Sequence, residues 1–299
     1  MVNISCAICG KNQQTKVLYP STLKEENISA HTYSARRLPD KLHYRFLKCQ
    51  RCGLIFSSPI FEQAKIINLY KESSCNYNDQ IPYVTKTYLK LFERVRNSLS
   101  ENPKVLEVGC GNGFFLNSLK KHGIDGVYGV EPSPEMVSKA DKNIRLNIKT
   151  DVFRANQFPK NYFDVVCCFH TLDHMIDPNE FIRGAFSVLK KDGFAIIVVH
   201  DTEGLSVKIF GENSAIFDIE HVYLFNKETL KKIFSQNNFK IIEIFNLVNN
   251  YPLNYWIRMS GIPVFFKQIF SRVLNALNLS KVNLSLAGGN ICLVARKLV

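Results

Sequence analysis

The stretch KVLEVGCGNGFF, residues 104–115, constrains this chain more than any other. Val105 to Val108 has the length and apolar character of a buried strand. Three alternating glycines follow, and Phe115, Leu116 and Leu119 then recur at helical spacing. A strand that passes through a glycine turn straight into a helix brings backbone N–H groups close to a ligand at the helix N-terminus. The pattern is G-x-G-x-G, whereas a nicotinamide fingerprint is G-x-G-x-x-G, and no Lys-Ser/Thr ending makes it a phosphate-binding P-loop. Roughly twenty residues on, GVYGVEPS reads as a second strand ending in Glu131, whose carboxylate can accept hydrogen bonds from ribose hydroxyls. The expected ligand is therefore a nucleoside, held by Glu107, Gly109, Gly111, Gly113 and Glu131.

With these residues in view, the segment resembles the class I S-adenosylmethionine-dependent methyltransferases, and the later segments follow in the same order. NIKTDVF resembles the third strand, and YFDVVCCFHTLDHMIDP the fourth strand with its loop. FIRGAFSVLKKDGFAIIVVH resembles the next helix, turn and fifth strand, and NICLVARK the closing strand. The resemblance implies an α/β, Rossmann-like sheet. It also implies S-adenosylmethionine as cofactor, with the glycine turn under its amino-acid part and Glu131 on its ribose.

Methyl transfer from a sulfonium is an in-line displacement, so the protein aligns the acceptor and, where needed, removes its proton. Candidate bases follow the carboxyl ends of strands, where open α/β sheets bind ligands. They are His170, Asp173 and His174 after the fourth strand, and Glu220 and His221 in FDIEHVYLF after the fifth. His221 with Glu220 is the expected base, His174 the alternative, and His170 is expected in the cofactor shell.

The N-terminus carries a different pattern. Cys6 with Cys9 and Cys49 with Cys52 form two C-x-x-C pairs, each followed by glycine, the knuckle arrangement of a zinc ribbon. Four thiolates leave no open position for catalysis, so the expected zinc is structural; chance pairing or redox chemistry is the alternative. His31 and His43 between the knuckles read as surface or substrate-facing. A zinc-type region joined to such a sheet is similar to the sugar methyltransferases of deoxysugar and surface-polysaccharide pathways. That resemblance implies that His221 and Glu220 act on a nucleotide-linked or lipid-linked sugar, by C- or O-methylation.

The chain of 299 residues carries a net charge of +12, which suits acidic partners without choosing among nucleic acid, membrane and phosphorylated substrate. An RNA methyltransferase is the second reading, although FHTLDH lacks the Asn/Asp-Pro-Pro-aromatic sequence of base amino methylation. A binding module without catalysis is the third. Nine cysteines, several in apolar runs, argue for reduced thiols, and no stretch approaches the roughly 20 apolar residues of a membrane span. A cytoplasmic location follows as the expectation.

The expected organisation is a zinc-binding region at 1–60, a helical connector at 61–100 and a methyltransferase domain at 101–299. An amphipathic helical insertion is expected at about 251–285. In it, Phe265, Phe266, Ile269, Phe270, Val273, Leu274 and Leu277 recur at helical spacing after Pro263. Packing on the domain, a dimer partner, or peripheral contact with the inner membrane face through 264–279 all remain open. Tyr70, Tyr77 and Tyr83 in the connector could line a ligand pocket, with ordinary packing or surface roles the expectation.

Overall fold

The computed structural model describes residues 1–10, 14–23, 28–33, 40–73 and 78–298. Tyr77 and the side chain of His31 lie outside the described residues. In chain order the N-terminal region gives β1 (Thr15–Tyr19), β2 (Phe46–Cys49) and β3 (Ile55–Ser57), and the connector gives α1 (Gln63–Glu72) and α2 (Ile81–Arg96). Then come β4 (Val105–Val108), α3 (Phe114–Lys121), β5 (Val127–Val130), α4 (Pro134–Ser138), α5 (Lys142–Arg145) and β6 (Ile148–Lys149). Next are β7 (Phe163–Phe169), α6 (Pro178–Val188), β8 (Leu189–His200), α7 (Leu205–Phe210), β9 (Tyr223–Leu224), α8 (Lys227–Gln236) and β10 (Phe239–Asn246). The chain continues through β11 (Asn249–Pro252), α9 (Leu253–Met259), α10 (Val264–Ala276) and β12 (Asn283–Leu286) to β13 (Asn290–Lys297).

Seven strands form the main sheet in the order β10-β13-β8-β7-β4-β5-β6. Its centre is parallel: β4 pairs with β5 on one side and β7 on the other, placing Glu107 opposite Gly129 and Cys167. The apolar runs VLEV and FDVVCCF are long enough for strands and are covered on both faces, which is why they lack alternation. The closing strand β13 is antiparallel to both β8 and β10. The architecture is thus an α/β, Rossmann-like, mostly parallel sheet. Strand order reverses at β4, so the carboxyl ends of β4, β5, β7 and β8 surround one crevice.

The smaller sheet, β1-β2-β3-β9, is not confined to residues 1–60, because β9 supplies its last strand. The packing is also shared. One continuous core joins Cys6, Leu54, Phe56 and Ile60 to Leu106, Val166 and Ile197 of the main sheet. The N-terminal segment is held by burial against its neighbour as well as by its own pairing.

The glycine at 129 shows how tightly the first two strands meet the turn. A Cβ there would lie 2.6 Å from Cys110 Sγ, 3.0 Å from Leu116 Cδ1 and 3.1 Å from Ile148 Cγ1. Alanine in a strand gains about 0.5–1 kcal/mol over glycine, but overpacking typically costs about 1–3 kcal/mol. Gly129→Ala is therefore expected to be net destabilised, by about 1–2 kcal/mol. A urea midpoint equal to or above that of the wild type would show that Cys110 yields freely.

Candidate active site and cysteine cluster

The glycine turn is shaped by the protein as well as by any ligand. Gly109, Gly111 and Gly113 all have positive φ, of 77°, 55° and 68°. A Cβ on Gly109 would collide with Thr171 Oγ1 at 2.2 Å, and one on Gly113 with Ile144 Cδ1 at 2.5 Å. Gly109 and Gly111 line the large cavity at the sheet's carboxyl edge, which measures about 670 Å³; Gly113 is not among the residues lining it. Gly113 instead begins α3 and packs on α5.

Glu131 closes the turn. Its Oε2 accepts from Gly111 N at 2.9 Å and its Oε1 from Ser133 N at 2.9 Å, which leaves lone pairs for a ligand. Glu107 is buried in the cavity wall, and its Oε2 has no hydrogen-bond partner. Burial pushes the carboxyl groups of both Glu107 and Glu131 above the ordinary carboxylate range. An unpartnered buried acid beside an open glycine turn fits a ligand that brings positive charge and hydroxyl donors, as S-adenosylmethionine does. Glu107 and Glu131 would hold its donor groups and Gly111 would admit it.

Across the same cavity, four histidines gather around one buried acid. Asp173 is fully buried, in a short 3₁₀ turn at 172–174 that follows β7. Its Oδ2 lies 2.6 Å from His200 Nδ1, at the last residue of β8. His174 Nε2 lies 3.8 Å from Oδ1, and His221 Nε2 3.9 Å from Oδ2. His170 has a positive φ of 51° and sets its ring 4.8 Å from that of His200. The acid stays ionised: although burial opposes it, the bond to His200 and the other histidines hold its carboxyl well below the usual carboxylate range.

The partners of each ring fix which nitrogen can take a proton. His221 Nδ1 lies 2.7 Å from the carbonyl of Ile216, which can only accept, so this nitrogen carries hydrogen and Nε2 keeps its lone pair when the ring is neutral. His200 Nδ1 likewise donates to Asp173, leaving its Nε2 lone pair. His174 differs. Its Nδ1 is 2.9 Å from the Tyr70 hydroxyl, whose proton is retained through burial and the nearby charge of Glu220, while Nε2 faces Asp173. With the Tyr70 hydroxyl donating to Nδ1, the ring's hydrogen sits on Nε2, which faces Asp173 Oδ1 at 3.8 Å without a hydrogen bond. Glu220 is buried in the same cavity wall and bears on Tyr33 and Tyr70, whereas the acid facing His221 is Asp173.

His200, Asp173 and Tyr70 are thus central, beyond the pair expected from FDIEHVYLF. Tyr70 was expected as packing or surface, but its hydroxyl engages a histidine of the cavity. His200 had one legible signal, its place at the carboxyl end of an apolar strand. The trios His170–Asp173–His200 and Asp173–His174–His221 have ligand atoms within 4.8 Å and could in principle hold a cation. The 2.6 Å separation of Asp173 and His200 is nevertheless that of a charge-assisted hydrogen bond, shorter than the roughly 3.3 Å between ligands of a tetrahedral ion at about 2.0–2.1 Å.

At the other end of the chain, the four thiols of Cys6, Cys9, Cys49 and Cys52 all lie within 4.8 Å of one another. Cys6 and Cys52 are 3.4 Å apart, near the roughly 3.8 Å expected around a zinc ion with bonds of about 2.3 Å. Both knuckles close as tight turns, Gly10 N donating to Cys6 O at 2.8 Å and Gly53 N to Cys49 O at 2.9 Å. His43 is not surface-exposed as expected. It is buried, its Nδ1 held 2.7 Å from Tyr44 O and its Nε2 3.3 Å from Glu212.

A mostly parallel sheet whose first strand feeds a glycine turn answered by an acid at the end of the second is that of a class I S-adenosylmethionine-dependent methyltransferase. The methyltransferase domain family matches residues 79–244, more than half of the chain, and the chain belongs to that family. Similar curated proteins include the ubiquinone biosynthesis O-methyltransferase of Neisseria meningitidis serogroup C (strain 053442), 29% identical over 97 residues, 30% of this chain and 41% of that protein. The mitochondrial ubiquinone biosynthesis O-methyltransferase of Bos taurus is 27% identical over 169 residues, 51% of this chain and 45% of that protein. The chain thus spans less than half the length of these relatives. Among solved structures, a candidate methyltransferase of Bacillus halodurans C-125 superposes with a TM-score of 0.50 at 20% identity, covering 71% of this chain and 98% of that one. That likeness concerns the fold alone.

The histidine cluster implies a measurable pH dependence of stability. Burial, first of all, holds His221 well below and His174 below the ordinary histidine value in the folded chain. In the unfolded chain both titrate near about 6.5, so at lower pH the unfolded chain binds protons that the folded chain refuses. Their contribution is present above about 6.5 and is lost as pH falls towards 5, by up to about 1.4 kcal/mol per pH unit for each proton. The raised Glu107 and Glu131 act with the opposite sign, losing stability as pH rises through their folded values, and both are common to wild type and variant. His221→Asn should therefore flatten the urea-midpoint profile between pH 7 and 5. An unchanged slope would mean that His221 is not held neutral.

Proposed function

We propose that this protein transfers a methyl group from S-adenosylmethionine to a small-molecule acceptor, with His221 as general base. The observation that carries the reading is that the turn closed by Glu131 and the histidines around Asp173 line one cavity. Bound S-adenosylmethionine supplies the electrophilic methyl. The chain's own residues do the rest. His221 is neutral with its Nε2 lone pair available, and Asp173, 3.9 Å away, stabilises the imidazolium that forms when Nε2 takes the acceptor's proton. His200, bonded to Asp173, orients the acceptor's oxygen, and the Tyr70 phenol, kept protonated first of all by burial and then by the nearby Glu220, engages His174. His170 lies beside His200 at the cofactor side of the cavity.

Within this reading the acceptor is a nucleotide- or lipid-linked sugar, supported by the Glu220–His221 pair and the N-terminal cysteine region. A phenolic acceptor is the second reading. It is favoured by the names of the relatives and by the aromatic and apolar residues of the cavity wall, among them Phe210, Tyr255, Trp256 and Met259. A screen with labelled cofactor against nucleotide sugars, lipid-linked glycans, polyprenylated phenols and RNA separates these. Labelled RNA without labelled small molecules would reject both.

Loss of a proton-transfer group typically costs about 10²- to 10⁴-fold in rate. His221→Ala is expected to show that loss in single turnover with unchanged cofactor affinity by calorimetry. If His200→Ala loses the rate while His221→Ala keeps it, the base is the histidine held by Asp173.

We also propose that Cys6, Cys9, Cys49 and Cys52 hold one structural zinc ion. A closed set of four thiolates leaves nothing for substrate, and it crosslinks β2 to the N-terminal knuckle. Elemental analysis is expected to give one zinc per chain, lost together with thermal stability on chelation. Protein that is metal-free and equally stable would reject the site.

A further inference from the structure

The segment 253–282, inserted between β11 and β12, carries a helix that is built inside out for a soluble domain. Helix α10 is half-buried only along Lys267, Ser271 and Leu274, and none of its residues is buried. This strip is its polar side. Ser271 Oγ bonds Asn254 Oδ1 at 2.7 Å, and Lys267 Nζ donates to Arg258 O at 2.8 Å, both in α9. The apolar side faces outward: Phe265, Phe266, Ile269, Phe270, Val273 and Leu277 are between 38% and 66% exposed. At about 100° per residue these six side chains fall within one arc of roughly 140°.

Charge distinguishes the possible occupants of this face. No acidic residue follows Glu243 in the chain, whereas Arg258, Lys267, Arg272 and Lys281 all lie within the segment. On the helical projection Arg272 stands about 20° beyond one edge of the apolar arc and Lys267 about 60° beyond the other. An apolar face edged by Arg272 and followed by the exposed Lys281 matches a surface that is hydrocarbon at depth and anionic at the headgroups. It matches a second copy of this segment poorly, because pairing two such faces would bring like charges together. Among the described residues no helix is long and apolar enough to cross a membrane, so the contact is peripheral.

We propose that α10 and the following turn dock this protein on an anionic lipid bilayer, with the phenylalanine face in the interface and Arg272 and Lys281 at the headgroups. Helix α9, which carries α10, lines the large cavity through Tyr255, Trp256 and Met259. Docking therefore brings the wall of the cavity beside the lipid and gives a lipid-borne acceptor a short route in. The surface is independent of which histidine is the base.

The test is sedimentation of the full chain with vesicles of phosphatidylcholine alone or enriched in phosphatidylglycerol. Wild type is expected to sediment with the anionic vesicles and to be released by added salt. Phe265→Ser, Phe266→Ser and Phe270→Ser together should lower partitioning at least about tenfold, and Arg272→Glu with Lys281→Glu should abolish the preference for anionic lipid. Cofactor affinity by calorimetry, unchanged in both variants, would show that the fold persists. Wild type remaining in the supernatant with both vesicles overturns the proposal, as does a triple serine variant that sediments like wild type. A wild-type dimer that the triple variant dissociates, with no vesicle binding, assigns the face to a second copy and overturns it equally.

Discussion

A single buried carboxylate organises the crevice of this protein. Asp173 is removed from water yet ionised, a state that several kcal/mol of desolvation would forbid without partners. It obtains them from three places in the chain. His200 Nδ1 at the end of β8 donates to its side chain, its own loop turns His174 towards it, and its backbone carbonyl accepts from Val222 N at 2.8 Å beside His221. The ends of β7 and β8 and the approach to β9 are therefore mutually located. Four imidazoles are held at defined angles as a consequence of satisfying one charge.

The opposite wall uses the reverse strategy. Glu107 and Glu131 are buried without counter-ions, and burial raises both. The protein thus keeps Asp173 ionised through its bond to His200, meets Glu131 with two backbone N–H groups, and leaves Glu107 Oε2 without a hydrogen-bond partner. That asymmetry separates a wall that is complete in itself from a wall completed by a ligand.

Much of this could be read from the sequence, for reasons that differ by element. VLEVGCGNGFF was legible because a buried strand, a glycine turn and a helix have distinct local signatures, and Glu131 because it ends the next apolar run. The two cysteine knuckles were legible from spacing alone, and α10 from its period. What escaped depends on distant partners. His200 looks like the polar end of a core strand until Asp173 is placed beside it. Tyr70 sits in a helix with ordinary periodicity and gains its role from His174, 104 residues away. His43 is buried against Phe46 with Glu212, 169 residues on, facing its ring, and β9 has only two residues, too few for any pattern. The outward turn of the apolar side of α10 was likewise invisible, since amphipathicity gives two faces without saying which is covered.

The two-residue strand β9 has a consequence for how the molecule comes apart. Beyond pairing with β3, its approach is fastened to that strand by Ser57 N donating to Val222 O at 2.8 Å and Ser57 Oγ donating to His221 O at 2.9 Å. The backbone of His221 thus hangs from a strand that begins three residues after the second cysteine pair. Through these bonds and the core they share with the main sheet, the first sixty residues hold the crevice wall in place and are not an appendage. The placement of His221 and the integrity of the N-terminus are then coupled, so whatever stabilises the cysteine knuckles also helps to hold the crevice assembled.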